Sequence, residues 1–425
     1  MLGRLHRVDT TGNAVRLRAR VVRVVQAALR LAVLAVGRMW PVIPISRLLD
    51  VAAWFGATRP RDDRPHVMVV GYDDFCTVLG DHESFAVPDY TRKMAVLGTF
   101  LLGREFTPAY LEEIGALRRA MPGSDRTLIG QMAEQGAAAA IAKAGSRRLD
   151  VGRQLAQPVL LDVVERYFGV PAHDTTLFDW FDAVSSYVFT PDVFQAPDSQ
   201  ARAESAGAAI ARHLAGPDTA KLQASASAAD TVLYRLAHDP GPQPLAANRV
   251  LDTVAGTLAG TLIPTFQEFV QVIDVLLDLP PERFHDLQMI ARSAREDLLL
   301  PSVLEAARFS PRPPLLAREC VRPTAVRGRS VRPHTVVFAV AFTAAFDWTV
   351  APRPWRFRAG RPPAAYPIFG HGQHHCVGAT LERPIAQVVL TRMAIQLLGL
   401  PGLRRARGPL GRAGLNGRRL FVEWD

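Results

Sequence analysis

A ten-residue stretch in the C-terminal part of the chain concentrates the residue types that can do chemistry. The residues from Phe369 to Gly378 read FGHGQHHCVG, with three glycines placed around a single cysteine, Cys376. Glycine lets the backbone turn sharply and lie flat against a large planar group. An apolar helix is predicted from Ala379 to Leu400, and the positive end of its dipole faces the sulfur. These surroundings favour the thiolate, which is the form of cysteine that binds metals.

Two other interpretations fit the same residues. A glycine-rich loop can carry a buried cysteine whose role is only structural. The histidines also raise the question of zinc, but His374, His375 and Cys376 are adjacent, whereas zinc fingers separate their ligands by fixed spacings. Zinc is therefore disfavoured, and a structural cysteine remains the alternative to a cofactor ligand.

The stretch resembles the haem-binding signature of the cytochrome P450 family at every defined position. The matching residues are Phe369, Gly370, Gly372, His374, Cys376 and Gly378. The resemblance implies that these residues bind haem b (iron protoporphyrin IX) and that Cys376 is the metal ligand of its iron. A thiolate ligand pushes electron density onto haem iron and favours cleavage of an O–O bond.

A second set of residues supports this resemblance. Glu305 and Arg308 place opposite charges one helical turn apart, a pattern that is common on its own. They precede the cysteine loop in the family's order, with Arg318 and then Arg356 between. The resemblance implies that Glu305, Arg308 and Arg356 form a buried ion-pair triad. It also implies that Arg318 meets a haem propionate, whose carboxylate suits the planar fork of a guanidinium.

Arg118 resembles the helix arginine that holds the propionates from the other side. The histidine that usually precedes this arginine by one helical turn is Ile114 here. A surface arginine is therefore the alternative interpretation of Arg118.

A haem site also needs a wall opposite the cysteine loop, and a long apolar helix is the candidate for that wall. The segment from Asn248 to Leu279 is apolar almost throughout, and it predicts one buried helix of about 30 residues, roughly 45 Å long at about 1.5 Å per residue. Pro264 lies in its middle, where the missing N–H and the ring clash predict a kink or a local opening. Either packing or a ligand beside the helix accounts for such a kink.

The middle of this helix departs from the monooxygenases of the family. By resemblance, an acid followed by threonine stands here and relays protons, but this chain has Ile263 and Pro264. Thr265 is the nearest hydroxyl, and we assign Pro264 and Thr265 as the candidate catalytic residues. An Arg-Pro pair at this place is typical of the peroxygenase branch of the family. This chain shares the proline but has Ile263 instead of the arginine. A further departure is Ile385, which stands where the final helix often has glutamate.

The remaining pattern predicts one mainly α domain of the cytochrome P450 fold with a small β-rich part. Residues 61–425 form this domain, with short strands at residues 66–70 and 336–341. Residues 1–60 are basic and helical in pattern, which predicts an N-terminal extension. Within it, the segment from Val21 to Ile45 is interrupted by arginines and falls short of the roughly 18 apolar residues of a membrane span. We expect an amphipathic surface helix there, with peripheral membrane contact as the alternative.

Composition and charge limit the partners and the compartment. Three widely spaced cysteines in 425 residues argue against a disulfide framework and favour a reducing, cytoplasmic location. The net charge of +10 favours an acidic partner, while no basic-aromatic window or helix-turn-helix pattern indicates nucleic acid. The sequence has no dinucleotide fingerprint and no ferredoxin-like cysteine set. Electrons would therefore come from a separate donor, such as an acidic ferredoxin or flavodoxin with its reductase.

The sequence thus predicts a haem-thiolate oxidoreductase of the monooxygenase type that inserts oxygen into a small, hydrophobic organic substrate. One alternative uses peroxide, or rearranges an O–O or N–O bond of its substrate, and needs no acid-alcohol pair. The other alternative is a non-catalytic haem-binding sensor or a homologue that activates a partner. Leu258 and Leu262 on the long helix suggest a hydrophobic ligand, although a packed core gives the same pattern.

Overall fold

The computed structural model describes residues 42–44, 64–192, 195–379, 385–407 and 419–425. Most of the predicted extension over residues 1–60, with most of the segment from Val21 to Ile45, lies outside these ranges. The described part of the extension, Val42–Pro44, forms a strand rather than the predicted helix. This strand pairs with the first strand of the main body. The division of the chain at residue 60 remains a prediction.

Helices make up most of the described chain, and the predicted mainly α fold is confirmed. They are α1 (Tyr72–Gly80), α2 (Pro88–Met94), α3 (Pro108–Ala120), α4 (Arg126–Lys143), α5 (Gln157–Val163), α6 (Thr176–Phe189), α7 (Ser199–Leu214), α8 (Pro217–Ala224), α9 (Val232–Ala237), α10 (Ala247–Leu276), α11 (Pro281–Arg292), α12 (Glu296–Arg308), α13 (Ala341–Ala345) and α14 (Ile385–Leu398). Among the residues described, no helix combines the length and the apolarity needed to cross a lipid bilayer.

The strands are short and form three small sheets. They are β1 (Val42–Pro44), β2 (His66–Val69), β3 (Phe85–Ala86), β4 (Arg148–Asp150), β5 (Leu315–Cys320), β6 (Thr324–Val326), β7 (Arg329–Val331), β8 (Val336–Val340), β9 (Arg404–Arg405) and β10 (Phe421–Glu423). The main sheet has the order β1-β2-β8-β5-β3, and β2 and β8 run parallel. Strand β8 is buried at all five positions, as expected for an apolar strand in the middle of a sheet. The predicted strands at residues 66–70 and 336–341 are therefore confirmed as β2 and β8.

The long helix α10 forms the centre of the helical part. It runs for 30 residues through Pro264 without ending, close to the predicted range of Asn248 to Leu279. Eighteen of these residues are buried, because the helix packs against α6, α9, α12 and α14 rather than against solvent. A helix that is apolar on most of its surface is stable only in such surroundings.

The final helix is confirmed over Ile385–Leu398, and residues 380–384 at its predicted start lie outside the described ranges. Eleven of its fourteen residues are buried, Ile385 among them. An isoleucine therefore fills this core position at the start of the helix.

Candidate functional site

The cysteine loop precedes α14 and is shaped by short 3₁₀ turns. Pro367–Phe369, Gly372–His374 and Val377–Ala379 each form one such turn. The backbone N–H of Cys376 donates to the carbonyl of Phe369 at 2.9 Å, which closes the loop on itself. The Cys376 side chain is exposed, whereas a cysteine retained for packing is normally buried. The loop therefore presents the sulfur outward.

The glycines of this loop occupy positions that other residues cannot fill. Gly370 and Gly372 have positive φ angles of 74° and 70°, a region that residues with a Cβ rarely adopt. A Cβ at Gly372 would lie 2.2 Å from the carbonyl oxygen of Leu79, so the loop rests directly on the end of α1. A Cβ at Gly378 would lie 3.6 Å from the Cys376 sulfur. Glycine at this place leaves the space beside the sulfur open.

Arg318 and His374 form a buried polar pair near the loop. Arg318 lies on β5, is 5% exposed, and donates from Nη1 to the carbonyl of Ala317 at 2.8 Å. Within the described part of the chain, no carboxylate lies within ion-pair distance of its guanidinium. Burial lowers the pKa of Arg318. Burial, followed by the Arg318 charge, lowers the pKa of His374 to about 3, so that this imidazole is neutral.

Glu305 and Arg308 form the ion pair that the sequence places on one turn of α12. Arg308 donates from Nε and Nη2 to the two carboxylate oxygens of Glu305 at 3.1 and 2.8 Å, and both side chains are completely buried. Arg308 also donates to the carbonyls of Ala345 and Pro354 at 2.9 and 2.7 Å. These bonds fasten α12 to the segment that leads to the cysteine loop.

The third member of this cluster is Arg361, which corrects the assignment of Arg356. Arg361 is 2% exposed at its side chain and donates from Nε to Glu305 at 3.1 Å. Arg356 is exposed, and its contribution is a backbone carbonyl that accepts from Arg361 Nη2 at 2.8 Å. Several arginines follow one another in this loop, and the sequence cannot tell which one turns inward.

Arg118 lies on the face of α3 that approaches the cysteine loop. Tyr110, Ile114 and Arg118 are spaced by four residues and therefore share one side of the helix. The Tyr110 hydroxyl donates to the carbonyl of Gln373, and its ring meets that of His374 edge-on at 5.6 Å. Burial raises the pKa of Tyr110, and the nearby Arg118 charge opposes the shift. Arg118 itself is exposed, and its role toward a propionate stays a prediction.

A buried carboxylate that the sequence did not reveal holds α3 against α10. Glu113 is completely buried and accepts from Arg104 Nε and Arg249 Nη2, both at 2.8 Å. Thr253 on α10 donates its hydroxyl to the other carboxylate oxygen at 3.1 Å. Arg104 precedes α3, whereas Arg249 and Thr253 lie one turn apart on α10, so no spacing near Glu113 in the sequence indicates the cluster. It fixes the distance between the helix of Arg118 and the long helix.

The long helix has an open face near its middle. Gly260 is exposed, and no atom lies within 4 Å of the position that a Cβ would take there. Thr261 and Pro264 are partly exposed, while Leu262 and Ile263 on the other side are 1% and 2% exposed. Gly260, Thr261 and Pro264 define what we call the open face. Helix α10 is continuous through Pro264, and a kink or a local opening of its backbone there stays a prediction.

The hydroxyl beside this open face is Thr261 rather than Thr265. Thr265 is only 3% exposed, and it lies about 100° around the helix from Pro264, because successive residues are about 100° apart. Thr261 precedes Pro264 by three residues and keeps part of its surface accessible. The sequence argument chose Thr265 by proximity along the chain, whereas the helical period selects Thr261.

Aromatic side chains pack against two different faces of α10. The ring of Phe100 lies so close to the helix that a Cβ at Gly256 would be 2.1 Å from its Cγ. Phe178 on α6 meets Phe266 edge-on at 4.9 Å. Leu258 and Leu262, in contrast, are at most 1% exposed and belong to the packed core. Of the two interpretations of these leucines, the packed core is the one that the structure supports.

The residues present fit haem. An exposed cysteine sulfur lies in a loop with positive-φ glycines. A buried guanidinium has no acid partner among the described residues, and such a charge is costly unless a bound anion completes it. A propionate supplies that anion, and the open face of α10 supplies room beside a long helix.

Comparisons with known proteins agree with this fit. No protein-family model matches the chain. The mycinamicin IV hydroxylase/epoxidase of Micromonospora griseorubida is 26% identical over 391 residues, which is 87% of this chain and 88% of that protein. The cytochrome P450 monooxygenase PikC of Streptomyces venezuelae is 27% identical over 57% of this chain and 55% of its own length. The putative cytochrome P450 YjiB of Bacillus subtilis is 35% identical over 97 residues, about a quarter of its length (24%).

Solved structures share the fold over nearly the whole chain. Ligand-free cytochrome P450 TbtJ1 superimposes with a TM-score of 0.74 at 21% identity, over 94% of this chain and 98% of that one. The open cytochrome P450 Eryk of S. erythraea gives a TM-score of 0.73 at 20% identity, over 93% and 95% of the two chains.

Proposed function

We propose that the chain is a cytochrome P450 monooxygenase in which Cys376 holds haem b and a small, hydrophobic organic molecule binds against the open face of α10. The cofactor and the enzyme class are those of the P450 relatives. The identity of the ligand residues and the nature of the substrate are proposals for this chain.

The observation that carries the proposal is the cysteine loop. In this loop Cys376 is exposed, and two glycines have positive φ angles. Gly372 also lies in close contact with the backbone of Leu79. Haem supplies the oxygen-activating chemistry when it is bound, and a thiolate ligand gives its iron the electron density that this chemistry needs. The role of the protein is to hold the sulfur in place and to keep it ionised.

The surrounding residues have separate tasks in this proposal. Arg318 binds a propionate with its planar fork, and neutral His374 packs beside it without competing for the anion. Glu305, Arg308 and Arg361 keep the segment before the cysteine loop in a single position. Arg118 approaches the cofactor from α3, whose place on α10 is fixed by Glu113.

A hydrophobic substrate is supported by an aromatic side chain near the open face. Phe100 packs against Gly256, which lies one helical turn before Gly260 on α10. Apolar and aromatic walls with few polar groups are typical of sites for small organic molecules. Thr261 is the hydroxyl that such a ligand would meet.

Electrons come from a separate protein in this proposal. The net charge of +10 favours association with an acidic ferredoxin or flavodoxin, which long-range attraction would bring to the surface. We place the reaction in the cytoplasm, where such donors and their reductases are found.

A peroxide-using enzyme is the second candidate, because Ile263 and Pro264 replace the acid-alcohol pair. Product formation with hydrogen peroxide and no reductase would favour it over the donor-dependent reaction. A haem-binding sensor without turnover would instead give no product with either oxidant.

The first experiment is the difference spectrum of the dithionite-reduced protein with carbon monoxide. We expect the band of a thiolate-ligated haem in the wild type and its loss in Cys376→Ala. Cys76→Ala is the matched control, since Cys76 is a half-buried cysteine on α1 and its removal should leave the band unchanged. A wild type without bound haem, or a Cys376→Ala protein with an unchanged band, would refute the proposal.

A further inference from the structure

Glu268 on α10 is a buried carboxyl group that none of the contacts above uses. It is 8% exposed, and no side chain or backbone group of the described residues forms a hydrogen bond or an ion pair with it. Acidic side chains are almost never buried in this way without a partner. Glu113 and Glu305, two completely buried acids of the helical part, each have two arginine partners.

Helical geometry places Glu268 on the same side of α10 as the open face. At about 100° per residue, Gly260, Thr261, Pro264 and Glu268 fall within an arc of about 100°. Helical side chains lean back toward the N-terminus of their helix. The Glu268 carboxyl therefore lies over the turn that contains Pro264, on the way to Thr261.

Pro264 makes this turn more polar than an ordinary turn of helix. It has no N–H, so the carbonyl of Gly260 has no backbone donor at the fourth position along the helix. Gly260 also has open space where a side chain would lie. A carbonyl acceptor thus lies on this side of the helix beside the partly exposed Thr261 and Pro264, and a bridging water costs little at such a place.

The charges around Glu268 leave its proton exchangeable. Burial raises the pKa of Glu268 to about 7, and the Arg312 charge opposes this shift. Among the described residues, Arg312 is the charged group that affects the pKa of Glu268. On the helices packed against α10, Glu305 and Arg308 of α12 neutralise each other, and further along α10 Asp274 is paired with Arg405.

We propose that Glu268 donates protons to the open face and that it acts through the hydroxyl of Thr261. The proton leaves a Glu268 carboxyl oxygen, and its electron pair stays on the carboxylate. Thr261 Oγ accepts this proton, by way of a bridging water, and releases its own hydroxyl proton toward the open face. The carboxylate then regains a proton from solvent. This inference rests on the proposed monooxygenase function and gives that function a replacement for the missing acid-alcohol pair.

The first test reads the proton on Glu268 directly and does not depend on turnover. Infrared difference spectra of the haem-loaded protein, recorded between pH 5 and pH 9, are expected to contain a carbonyl stretch of a protonated carboxylic acid that titrates near neutral pH. Glu268→Gln should remove this band. Asp252→Asn is the control, because Asp252 is a partly exposed acid on the same helix that accepts from the Thr99 backbone N–H at 3.0 Å. A wild type without such a band, or a band that survives in Glu268→Gln, would overturn the proposal.

The second test separates proton donation from a structural role. With a surrogate ferredoxin and reductase, Glu268→Gln and Thr261→Val should each slow product formation by about a hundredfold, the lower end of general-acid effects. The fall in rate that the wild type shows as pH rises through 7 should also disappear in Glu268→Gln. Thr391→Val is the control and should keep both the rate and the pH profile, because Thr391 is a buried threonine of α14 whose hydroxyl donates to the Gln387 carbonyl at 2.7 Å. A Glu268→Gln protein with the pH profile of the wild type would refute the inference, whereas an absent thiolate band in the carbon monoxide spectrum would refute the proposed function.

Discussion

Arg361 donates from Nε to both carboxylate oxygens of Glu305, at 3.1 and 3.2 Å, and both side chains are almost completely buried. Its Nη groups donate to three backbone carbonyls of the same loop, those of Pro352, Arg353 and Arg356. One side chain thus joins the charge on α12 to the backbone of the segment that precedes Cys376. The cysteine loop is held through this cluster as well as through its own glycines.

Removing Arg361 should therefore destabilise the protein far more than removing Arg356. Arg361→Ala leaves the buried Glu305 with one arginine and removes a donor from each of three carbonyls, and loss of a partner in a buried ion pair costs about 3–5 kcal/mol. Arg356→Ala removes an exposed side chain and should change the free energy of unfolding by less than about 0.5 kcal/mol. Denaturant unfolding of the two variants measures the difference. Equal losses would contradict the assignment of Arg361.

Gly372→Ala should disrupt the cysteine loop and reduce haem binding several-fold. The new Cβ would lie 2.2 Å from the Leu79 carbonyl oxygen, at a residue with φ of 70°. Gly360→Ala is the matched control, because Gly360 has a similar φ of 75° but nothing within 4 Å. The control carries only the backbone strain, about 1 kcal/mol. The haem-to-protein ratio after purification measures the effect, and equal ratios in the two variants would count against a close contact in this loop.

Arg318→Leu should have opposite effects on haem binding and on the stability of the haem-free protein. The guanidinium is buried without an acid among the described residues, so its removal relieves a desolvation cost that the free protein carries. The same change removes the donor for the propionate and should weaken haem binding by about 2 kcal/mol or more. Haem titration and thermal unfolding of the haem-free protein measure the two effects. A variant that loses stability without losing haem affinity would identify Arg318 as a packing residue.

Glu268 should make the stability of the protein fall as pH rises. Its folded-state pKa of about 7 lies above its ordinary value of 4.5, so the folded protein holds the proton more tightly. The stabilisation is complete below about pH 4.3, the pKa of an unperturbed glutamate, and is lost as pH rises through 7. Relative to Glu268→Gln, the wild type should lose on the order of 3 kcal/mol between pH 4.5 and pH 8. Parallel stability profiles of the two proteins would show that Glu268 is not a protonated acid in the folded state.

Several elements of the molecule follow from local sequence alone. The glycines and the cysteine of FGHGQHHCVG specify a tight loop, since positive φ angles at Gly370 and Gly372 need no distant partner to be favoured. The apolar run around Pro264 specifies one long buried helix, and the i, i+3 spacing specifies the Glu305–Arg308 pair. Each of these depends on residues that are close along the chain, where backbone geometry fixes their relative positions.

Other features depend on groups that only the folded chain brings together. Which arginine turns toward Glu305 is decided by the path of the loop between Ala351 and Phe369, because Arg356 and Arg361 are chemically identical. The cluster around Glu113 draws its donors from the loop before α3, which carries Arg104, and from α10, which carries Arg249 and Thr253. Whether Glu268 is an ionised surface acid or a buried proton donor depends on what packs against α10. The sequence by itself determined the helix, the loop and the family resemblance. The fold decided that Arg361 meets Glu305 and that Glu268 is buried, since burial is a property of the whole folded molecule.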